Sequence, residues 1–305
     1  MELGYVPFDK NSTGASNTLE YAFDDWTIYK TAKDMGEDEI AATYKKRALN
    51  YRNVFDRNLG LARARYSDGT WKKDFHPLGT HGEGFLEGNS WNYSFYAPQD
   101  VEGLKAYMGG DKRFIEKLDS IFTMYLPDEF FAETEDVTRD GILGNYVHGN
   151  EVSQHIPYLY AWTSQPWKTQ YWVREIMNKM YKNNIDGLCG NDDCGQMSAW
   201  YIFTAMGFYP VAPGTDQYVI GAPYLPYMKV NFENGKSLVI RADKVSDKNR
   251  YVQSVTLNGE PVKTAYLTHD QIMNGGELNF VMGPKPNKKR LFTPEQRPYS
   301  LTQGE

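Results

Sequence analysis

The sequence has little cysteine, no long apolar run and no excess of positive charge. Its 305 residues include two cysteines, Cys189 and Cys194. Two cysteines make no disulfide framework and lack the paired spacing of a zinc site, although a single bridge between them stays open. No segment approaches the roughly 18 consecutive apolar residues of a membrane span. The first residues also lack the basic and apolar regions of a signal peptide.

The charge balance and composition indicate a globular protein that does not bind nucleic acid. Acidic residues outnumber basic ones by 39 to 33, which gives a formal net charge of −6. A nucleic-acid-binding protein would need a basic face instead. The hydrophobic fraction of 41% excludes a disordered chain. Aromatic residues make up 15%, which fits sugar-stacking platforms or, more simply, a large aromatic core.

Hydrophobic periodicity divides the chain into a helical region and a strand-rich region. About seven segments between Leu19 and Met206 have helical spacing and are separated by long polar loops. From Pro213 the pattern becomes short strands joined by turn signals such as Asn234-Gly235. We predict a mainly α fold: a helical barrel of the (α/α)6-toroid type over residues 1–212, a small β-sandwich-like segment over 213–285 and a polar tail over 286–305. Seven helices are too few to close such a ring, so we expect an incomplete barrel.

The first candidate catalytic segment covers residues 84–93. Glu87 lies between Leu86 and a glycine, close in sequence to Trp91 and Tyr93. Apolar surroundings raise the pKa of a carboxyl group because they disfavour its charged form. A general acid that breaks a C–O bond needs such a raised pKa. The alternative is an ordinary surface or helix-capping glutamate.

The second candidate segment covers residues 186–201. Asp192 and Asp193 lie between glycines, directly before a predicted helix that begins near Gln196. The N-terminus of a helix favours an ionised carboxylate through its free N–H groups and positive field. An ionised carboxylate can act as the general base for water. The alternative is a plain helix cap, a common role for aspartate.

The third candidate segment covers residues 145–157. Asn150 and Glu151 supply hard oxygen donors of the kind that calcium prefers. His148 and His155 are seven residues apart, which lacks the i, i+4 spacing of a transition-metal pair. For His155 we favour a hydrogen-bonded core position, whereas His148 lies in the loop and a role at the site stays open.

Taken together, these segments resemble glycoside hydrolase family 92, the calcium-dependent exo-acting α-mannosidases. Five stretches match in the family's order: GYVPFDKNSTGASNTLEYAFDDW, EGNSWNYSFYAPQD, GNYVHGNEVSQHIPYLY, GNDDCGQMSAWYIFTAMGFYPVAPG and YVIGAPYLP. The resemblance implies an N-terminal β-sandwich followed by an (α/α)6 barrel with a further β segment. This chain is expected to be the C-terminal part only. The missing β-sandwich would then be a partner at the site, and the isolated chain can be inactive.

The resemblance also implies a mechanism that inverts the anomeric centre of an α-mannoside. Glu87 matches the general acid, and Asp193, with Asp192 beside it, matches the general base. An inverting pair stands roughly 6.5–9.5 Å apart to leave room for water. Asn150 and Glu151 are the candidates for a Ca²⁺ site. The residues expected to line the sugar subsite are Trp91, Tyr93, His148 and Gln196.

The resemblance further implies a mannose-containing glycan as substrate, with an α-1,2 or another linkage. Family members are typically exported by bacteria that degrade glycans, so we expect a periplasmic or extracellular protein. Two alternatives stay open: a non-catalytic carbohydrate-binding protein, and another (α/α)6 glycosidase.

Overall fold

The computed structural model describes residues 3–131 and 139–303 and contains both helices and strands. The chain divides into two compact units: unit 1 comprises residues 1–153 and 300–305, and unit 2 comprises residues 154–299. The ranges expected from the sequence, 1–212, 213–285 and 286–305, stay a prediction of domain organisation. Residues 1, 2, 132–138, 304 and 305 of those ranges lie outside the described residues.

Unit 1 is mainly helical. Its α-helices are α1 (Gly14–Asp34), α2 (Asp38–Arg47), α3 (Ser90–Tyr93), α4 (Val101–Tyr107) and α5 (Asp111–Thr123). Two antiparallel two-stranded ribbons accompany them: β1 (Phe55–Asp56) with β2 (Leu61–Ala62), and β3 (Ile142–Leu143) with β4 (Tyr146–Val147). The helical spacing that starts at Leu19 is confirmed within α1, which itself begins earlier, at Gly14.

Helix α1 owes its position to one apolar face. Ala15, Leu19, Ala22 and Trp26 recur at three- and four-residue spacing and are all buried, as helical periodicity requires. The helix also carries the buried Asp25, whose carboxylate lies 2.8 Å from a guanidinium nitrogen of Arg47 at the end of α2. This ion pair ties the two neighbouring helices together.

Asp100 is a buried carboxylate of unit 1 with several hydrogen-bond donors. It is fully buried between the 3₁₀ turn at Pro98–Asp100 and α4. Its Oδ2 accepts from the Tyr51 hydroxyl at 2.9 Å and from Arg52 at 3.1 Å. Its Oδ1 accepts from the Ser300 hydroxyl at 2.8 Å and from the Thr302 backbone N–H at 3.0 Å and hydroxyl at 2.6 Å. The C-terminal residues are thereby fixed to unit 1.

Unit 2 combines helices with two sheets. It begins with a 3₁₀ helix, Ile156–Trp162, followed by α6 (Trp167–Met180) and α7 (Gln196–Met206). The strands are β5 (Phe208–Tyr209), β6 (Gln217–Ile220), β7 (Tyr227–Asn231), β8 (Ser237–Asp243), β9 (Tyr251–Leu257), β10 (Glu260–Pro261), β11 (Tyr266–Thr268) and β12 (Gly276–Gly283), with α8 (His269–Met273) before the last strand. The predicted change from a mainly helical to a strand-rich region is confirmed, although the first strand of unit 2, β5, begins at Phe208, before residue 213.

The strands of unit 2 form one five-stranded and one three-stranded sheet. The larger sheet has the order β10-β9-β12-β8-β7, in which only the β12–β8 pair is parallel. The predicted hairpin turn at Asn234-Gly235 joins β7 to β8, and Asn231 pairs with Ser237 across it. The smaller sheet has the order β11-β6-β5.

The largest fully buried side chains of the described residues are aromatic in both units. In unit 1 they are Trp26, Tyr51, Tyr93, Phe95, Phe114 and Tyr146, and in unit 2 they are Tyr158, Tyr160, Trp162, Trp200, Phe208 and Phe280. Much of the high aromatic content therefore serves packing. Among the described helices, none has the length and apolarity that crossing a lipid bilayer requires.

Candidate active site

The loop that carries Glu87 is bound to the first turn of α1. The Gly84 carbonyl accepts the backbone N–H groups of Ala15 at 3.0 Å and Ser16 at 3.2 Å. The Leu86 N–H donates to the Ser16 hydroxyl at 3.2 Å. Three hydrogen bonds therefore fix the backbone immediately before Glu87, and the Glu87 side chain itself is exposed.

The neighbours of Glu87 differ from those that the sequence suggested. Leu86 is 61% exposed and so does not enclose the carboxyl group in an apolar pocket. The charge of Glu87 instead acts on Glu20 of α1 and on the hydroxyl of Tyr93, and the Glu87 backbone interacts with that hydroxyl. The predicted acid thus interacts with one other carboxyl, that of Glu20, and with the buried phenol of Tyr93.

The pKa values of Glu20 and Tyr93 are both shifted upward. Partial burial raises the pKa of Glu20; the Tyr93 hydroxyl lowers it, and the charges of Glu87 and Asp24 raise it further. Burial also raises the pKa of Tyr93, and the charges of Glu20 and Glu87 add to this effect. The Tyr93 ring is stacked on Phe85, with 5.5 Å between the ring centroids.

Three buried asparagines hold α3 behind the Glu87 loop. Asn89 caps α3 through its side chain. Its amide exchanges hydrogen bonds of 3.1 and 3.2 Å with the amide of Asn145, and the Asn92 amide donates to the Asn145 carbonyl at 2.6 Å. The EGN segment and the GNY segment, separated in sequence, are therefore linked inside unit 1.

Two of the predicted sugar-lining residues of unit 1 have protein partners. The Lys117 ammonium lies 5.0 Å from the ring centroid of the half-buried Trp91. His148 is fully buried, and its Nδ1 lies 2.7 Å from the Tyr146 hydroxyl. Burial lowers the pKa of His148 to about 3, so the ring is neutral at physiological pH. Contact of either residue with a sugar stays a prediction.

The segment after His148 contains oxygen donors that suit calcium. The Asn150 Oδ1 and the Ser153 Oγ are buried and have no hydrogen-bond partner among the described residues. Buried acceptors without partners are costly, so a bound cation or water is a natural partner for them. Glu151 lies between them in sequence and is exposed. Within residues 3–131 and 139–303, no three His, Cys, Asp or Glu side chains form a metal-binding group.

In unit 2, Asp192 precedes the N-cap of α7, Gly195, and binds the first turn of the helix through Ser198. Its Oδ1 accepts the backbone N–H of Ser198 at 2.8 Å, and its Oδ2 accepts the Ser198 hydroxyl at 2.8 Å. Both carboxylate oxygens thus bind the first turn of the helix, which matches the capping alternative considered for this segment.

Asp193 lies in an unusual backbone conformation next to this cap. Asp193, Cys194 and Gly195 have φ angles of 44°, 57° and 96°. Non-glycine residues with positive φ carry conformational strain, which is often found at functional sites. The Asp193 side chain is exposed. Both Cys194, exposed, and Cys189, buried, are free thiols.

Gln196, the first residue of α7, is also exposed, and its amide donates to the Gln154 side chain at 3.2 Å. One short segment of unit 2 therefore contains three of the predicted site residues: Asp192, Asp193 and Gln196. Unit 1 contains the predicted site residues Glu87, Tyr93, His148, Asn150 and Glu151.

A model of the glycosyl hydrolase family 92 catalytic domain matches residues 1–284. The chain belongs to glycosyl hydrolase family 92.

This family 92 chain is similar to α-mannosidases of known structure. One is a family GH92 α-mannosidase from Bacteroides thetaiotaomicron, 43% identical, with a TM-score of 0.91 over 98% of this chain and 39% of that one. Another is a family GH92 inverting mannosidase from the same bacterium, 37% identical, with a TM-score of 0.88 over 99% of this chain and 41% of that one.

A curated relative is an uncharacterized secreted glycosidase from Arthroderma benhamiae. It is 26% identical over 314 residues, which cover 92% of this family 92 chain and 38% of the relative. The chain therefore spans between 38% and 41% of the length of these relatives.

Sequence reasoning did not identify Glu20 as a neighbour of the predicted acid Glu87. A weak signal was present, because Glu20 follows Ser16 by four residues and the two lie on one face of α1. The contact of this face with the Glu87 loop depends on tertiary structure and leaves no local pattern.

Proposed function

We propose that the protein containing this chain is a glycoside hydrolase that releases mannose from α-mannosides. Membership of family 92 and similarity to two mannosidases support this proposal. The observation that carries it within the chain is the fixed loop at residues 84–86, which presents the exposed Glu87 beside a second carboxyl and a buried phenol.

The proposed reaction inverts the anomeric centre. The Glu87 carboxyl donates its proton to the glycosidic oxygen as the C–O bond breaks. Asp193 accepts a proton from the water that attacks the opposite face of the sugar. We assign the base to Asp193 because both oxygens of Asp192 bind Ser198. Trp91, Tyr93, His148 and Gln196 stay candidates for contacts with the sugar.

Calcium is the proposed cofactor. The unpartnered Asn150 Oδ1 suits a hard cation, and Glu151 is the proposed charged ligand. When bound, the ion would orient sugar hydroxyls and favour ring distortion. Asn150 and Glu151 would supply part of its oxygen shell, with backbone carbonyls, water or substrate as the remaining ligands.

We also propose an architecture for the protein that contains this chain. The helices of this chain would form part of an (α/α)6 toroid, with a small β-sandwich-like segment after residue 212, and an N-terminal β-sandwich would complete the site. The relative from Arthroderma benhamiae is described as secreted, which supports a periplasmic or extracellular location. An α-1,2 linkage and a role in N-glycan degradation are the finer parts of this proposal.

The test replaces Glu87 by Gln in the protein that contains this chain. Hydrolysis of a mannobiose, whose leaving group needs protonation, should fall at least about a hundredfold. Hydrolysis of 2,4-dinitrophenyl α-mannoside, which needs little acid assistance, should change far less. Glu129→Gln, at another exposed glutamate of unit 1, is the matched control. NMR of the first product should show β-mannose if the reaction inverts.

Three results would contradict the proposal. A loss below about tenfold on mannobiose would exclude Glu87 as the acid. Binding of mannoimidazole, the compound present in one of the related structures, without any turnover of mannosides would indicate a carbohydrate-binding protein. Turnover of another glycoside in preference to mannosides would indicate a different glycosidase.

A further inference from the structure

Helix α7 has the composition of a helix that is buried on every side. None of its 11 residues is charged, and most of them are apolar or aromatic. Helix α5, by contrast, buries one apolar face and exposes the charged residues Lys112, Arg113 and Glu116 on another. Helices that face water follow the pattern of α5, whereas helices that are apolar all round belong to the interior. The sequence of α7 therefore predicts that both of its faces are covered.

One face of α7 is nevertheless open among the described residues. Met197, Trp200 and Thr204 are buried. Ile202, however, is 53% exposed, and Ala199 is exposed as well. These two residues are three positions apart and therefore share one face of the helix. An apolar face gains burial free energy only when something covers it.

This face borders a cavity of about 920 Å³ that lies wholly within unit 2. Three exposed apolar side chains line it: Ile185, which is fully exposed, Leu188, which is 37% exposed, and Ile202. We call these three residues the α7 surface. Its rim is polar and includes the side chains of Asn178, Asn183 and Asn184. An apolar patch with a polar rim is typical of a surface that binds protein.

The floor of the cavity is aromatic and fixed by packing. Tyr181 stacks on Trp200 with 5.9 Å between the ring centroids, and its ring lies 4.8 Å from that of Tyr201. The Tyr181 hydroxyl donates to the Met197 carbonyl at 3.0 Å. The Tyr201 ring lies 6.2 Å from the ring of Tyr224. A surface that is already ordered loses little conformational entropy when a partner binds.

The occupant that fits this surface best is another part of the same polypeptide. This chain covers 39% of the length of a related α-mannosidase, and the seven helical segments of its sequence are too few to close the proposed toroid. Helices in bundles and rings pack against neighbours, so an incomplete ring leaves helix faces open. A sugar suits the surface less, because Ile185, Leu188 and Ile202 offer no hydrogen bonds to its hydroxyls.

We propose that the α7 surface is the docking site for a further helix of the same polypeptide, outside these 305 residues, which packs an apolar face against it. Ser198, in the first turn of α7, lines the same cavity and binds both carboxylate oxygens of Asp192. The docked helix therefore also supports the turn that carries Asp193. This inference rests on the proposed architecture and names the surface through which that architecture is completed.

The first test measures thiol reactivity in the full-length protein that contains this chain. Ile202→Cys should react with iodoacetamide at least about tenfold more slowly than Leu291→Cys, because a covered thiol reacts only after local opening. Leu291 is the matched control, since it is 52% exposed and does not line the cavity. Peptide mass spectrometry distinguishes each introduced thiol from the native Cys189 and Cys194.

The second test identifies what covers the α7 surface and keeps Ile202 unchanged. Asn184→p-benzoylphenylalanine places a photo-cross-linker at the exposed rim of the cavity, away from the apolar contacts. Illumination of the full-length protein should join this position to a peptide from outside these 305 residues, within one polypeptide. Mass spectrometry of the digested monomer identifies that peptide.

Equal labelling of Ile202→Cys and Leu291→Cys would show that the surface is open, and the inference would be wrong. A cross-link between two polypeptides would indicate a second copy, and protection that appears only with mannobiose would indicate a glycan site; each overturns it, as does the absence of any cross-link to residues outside this chain. Neither readout requires turnover. Failure here is therefore distinguishable from failure of the proposed hydrolysis, which Glu87→Gln tests.

Discussion

The buried carboxylate of Asp100 provides a quantitative test of how unit 1 is held together. The Thr302 hydroxyl donates to its Oδ1 at 2.6 Å. A hydrogen bond to a charged group contributes about 1.5–3 kcal/mol, and because Thr302 is only partly buried we expect the lower part of this range. Thr302→Val removes the donor and keeps the shape, so the free energy of unfolding should fall by about 1.5–2 kcal/mol.

Asp100→Asn should cost more, because it removes the charge that Tyr51, Arg52 and the C-terminal residues all bind. Loss of one partner of a buried ion pair destabilises proteins by about 3–5 kcal/mol. The assay is urea unfolding of each variant, followed by circular dichroism. Thr302→Ser, which keeps the hydroxyl, is the control. A value for Thr302→Val within about 0.5 kcal/mol of the unmodified chain would refute the reasoning.

Three further predictions concern the two adjacent aspartates, the two cysteines and the proposed metal ligand Asn150. Asp192→Ala should lower the free energy of unfolding by about 1 kcal/mol, because the first turn of α7 loses its carboxylate partner. Asp193→Asn should abolish hydrolysis and leave the free energy of unfolding within about 0.5 kcal/mol of the unmodified value. Urea unfolding and rate assays of both variants measure this difference, and the reverse pattern would exchange the two roles. Burial raises the pKa of Cys189 to about 11, so at pH 8 iodoacetamide should label the exposed Cys194 and spare Cys189; equal labelling by mass spectrometry would contradict the described burial. Asn150→Ala should weaken Ca²⁺ binding at least about tenfold by titration calorimetry, and an unchanged affinity would remove Asn150 from the metal site.

Elements with a local pattern could be predicted from the sequence. The apolar spacing from Leu19 to Trp26 predicted α1, and the alternation around Asn234-Gly235 predicted the β7–β8 hairpin. These patterns are local because helix and strand periodicity repeat within a few residues. Their physical cause is the burial of one face of each element, which leaves a periodic apolar pattern within a short stretch of sequence.

Features that depend on distant contacts could not be predicted. The Leu86–Ser16 hydrogen bond joins residues 70 positions apart, and it brings Glu20 to the Glu87 loop. The sequence could not rank Asp192 and Asp193, since both precede a helix. The structure shows one difference between them: both carboxylate oxygens of Asp192 accept hydrogen bonds from Ser198, whereas the Asp193 side chain is exposed.

The hydrogen bonds between Asp100 and the C-terminal residues determine when unit 1 reaches its full stability during translation. Asp100 and Ser300 are 200 residues apart, a distance that a ribosome covers in about 10–40 s at 5–20 residues per second. Throughout that interval the nascent unit 1 has a carboxylate that still lacks its donors from Ser300 and Thr302. Until these residues emerge, the newly made helices are exposed to proteases and chaperones in a less stable form than the finished protein.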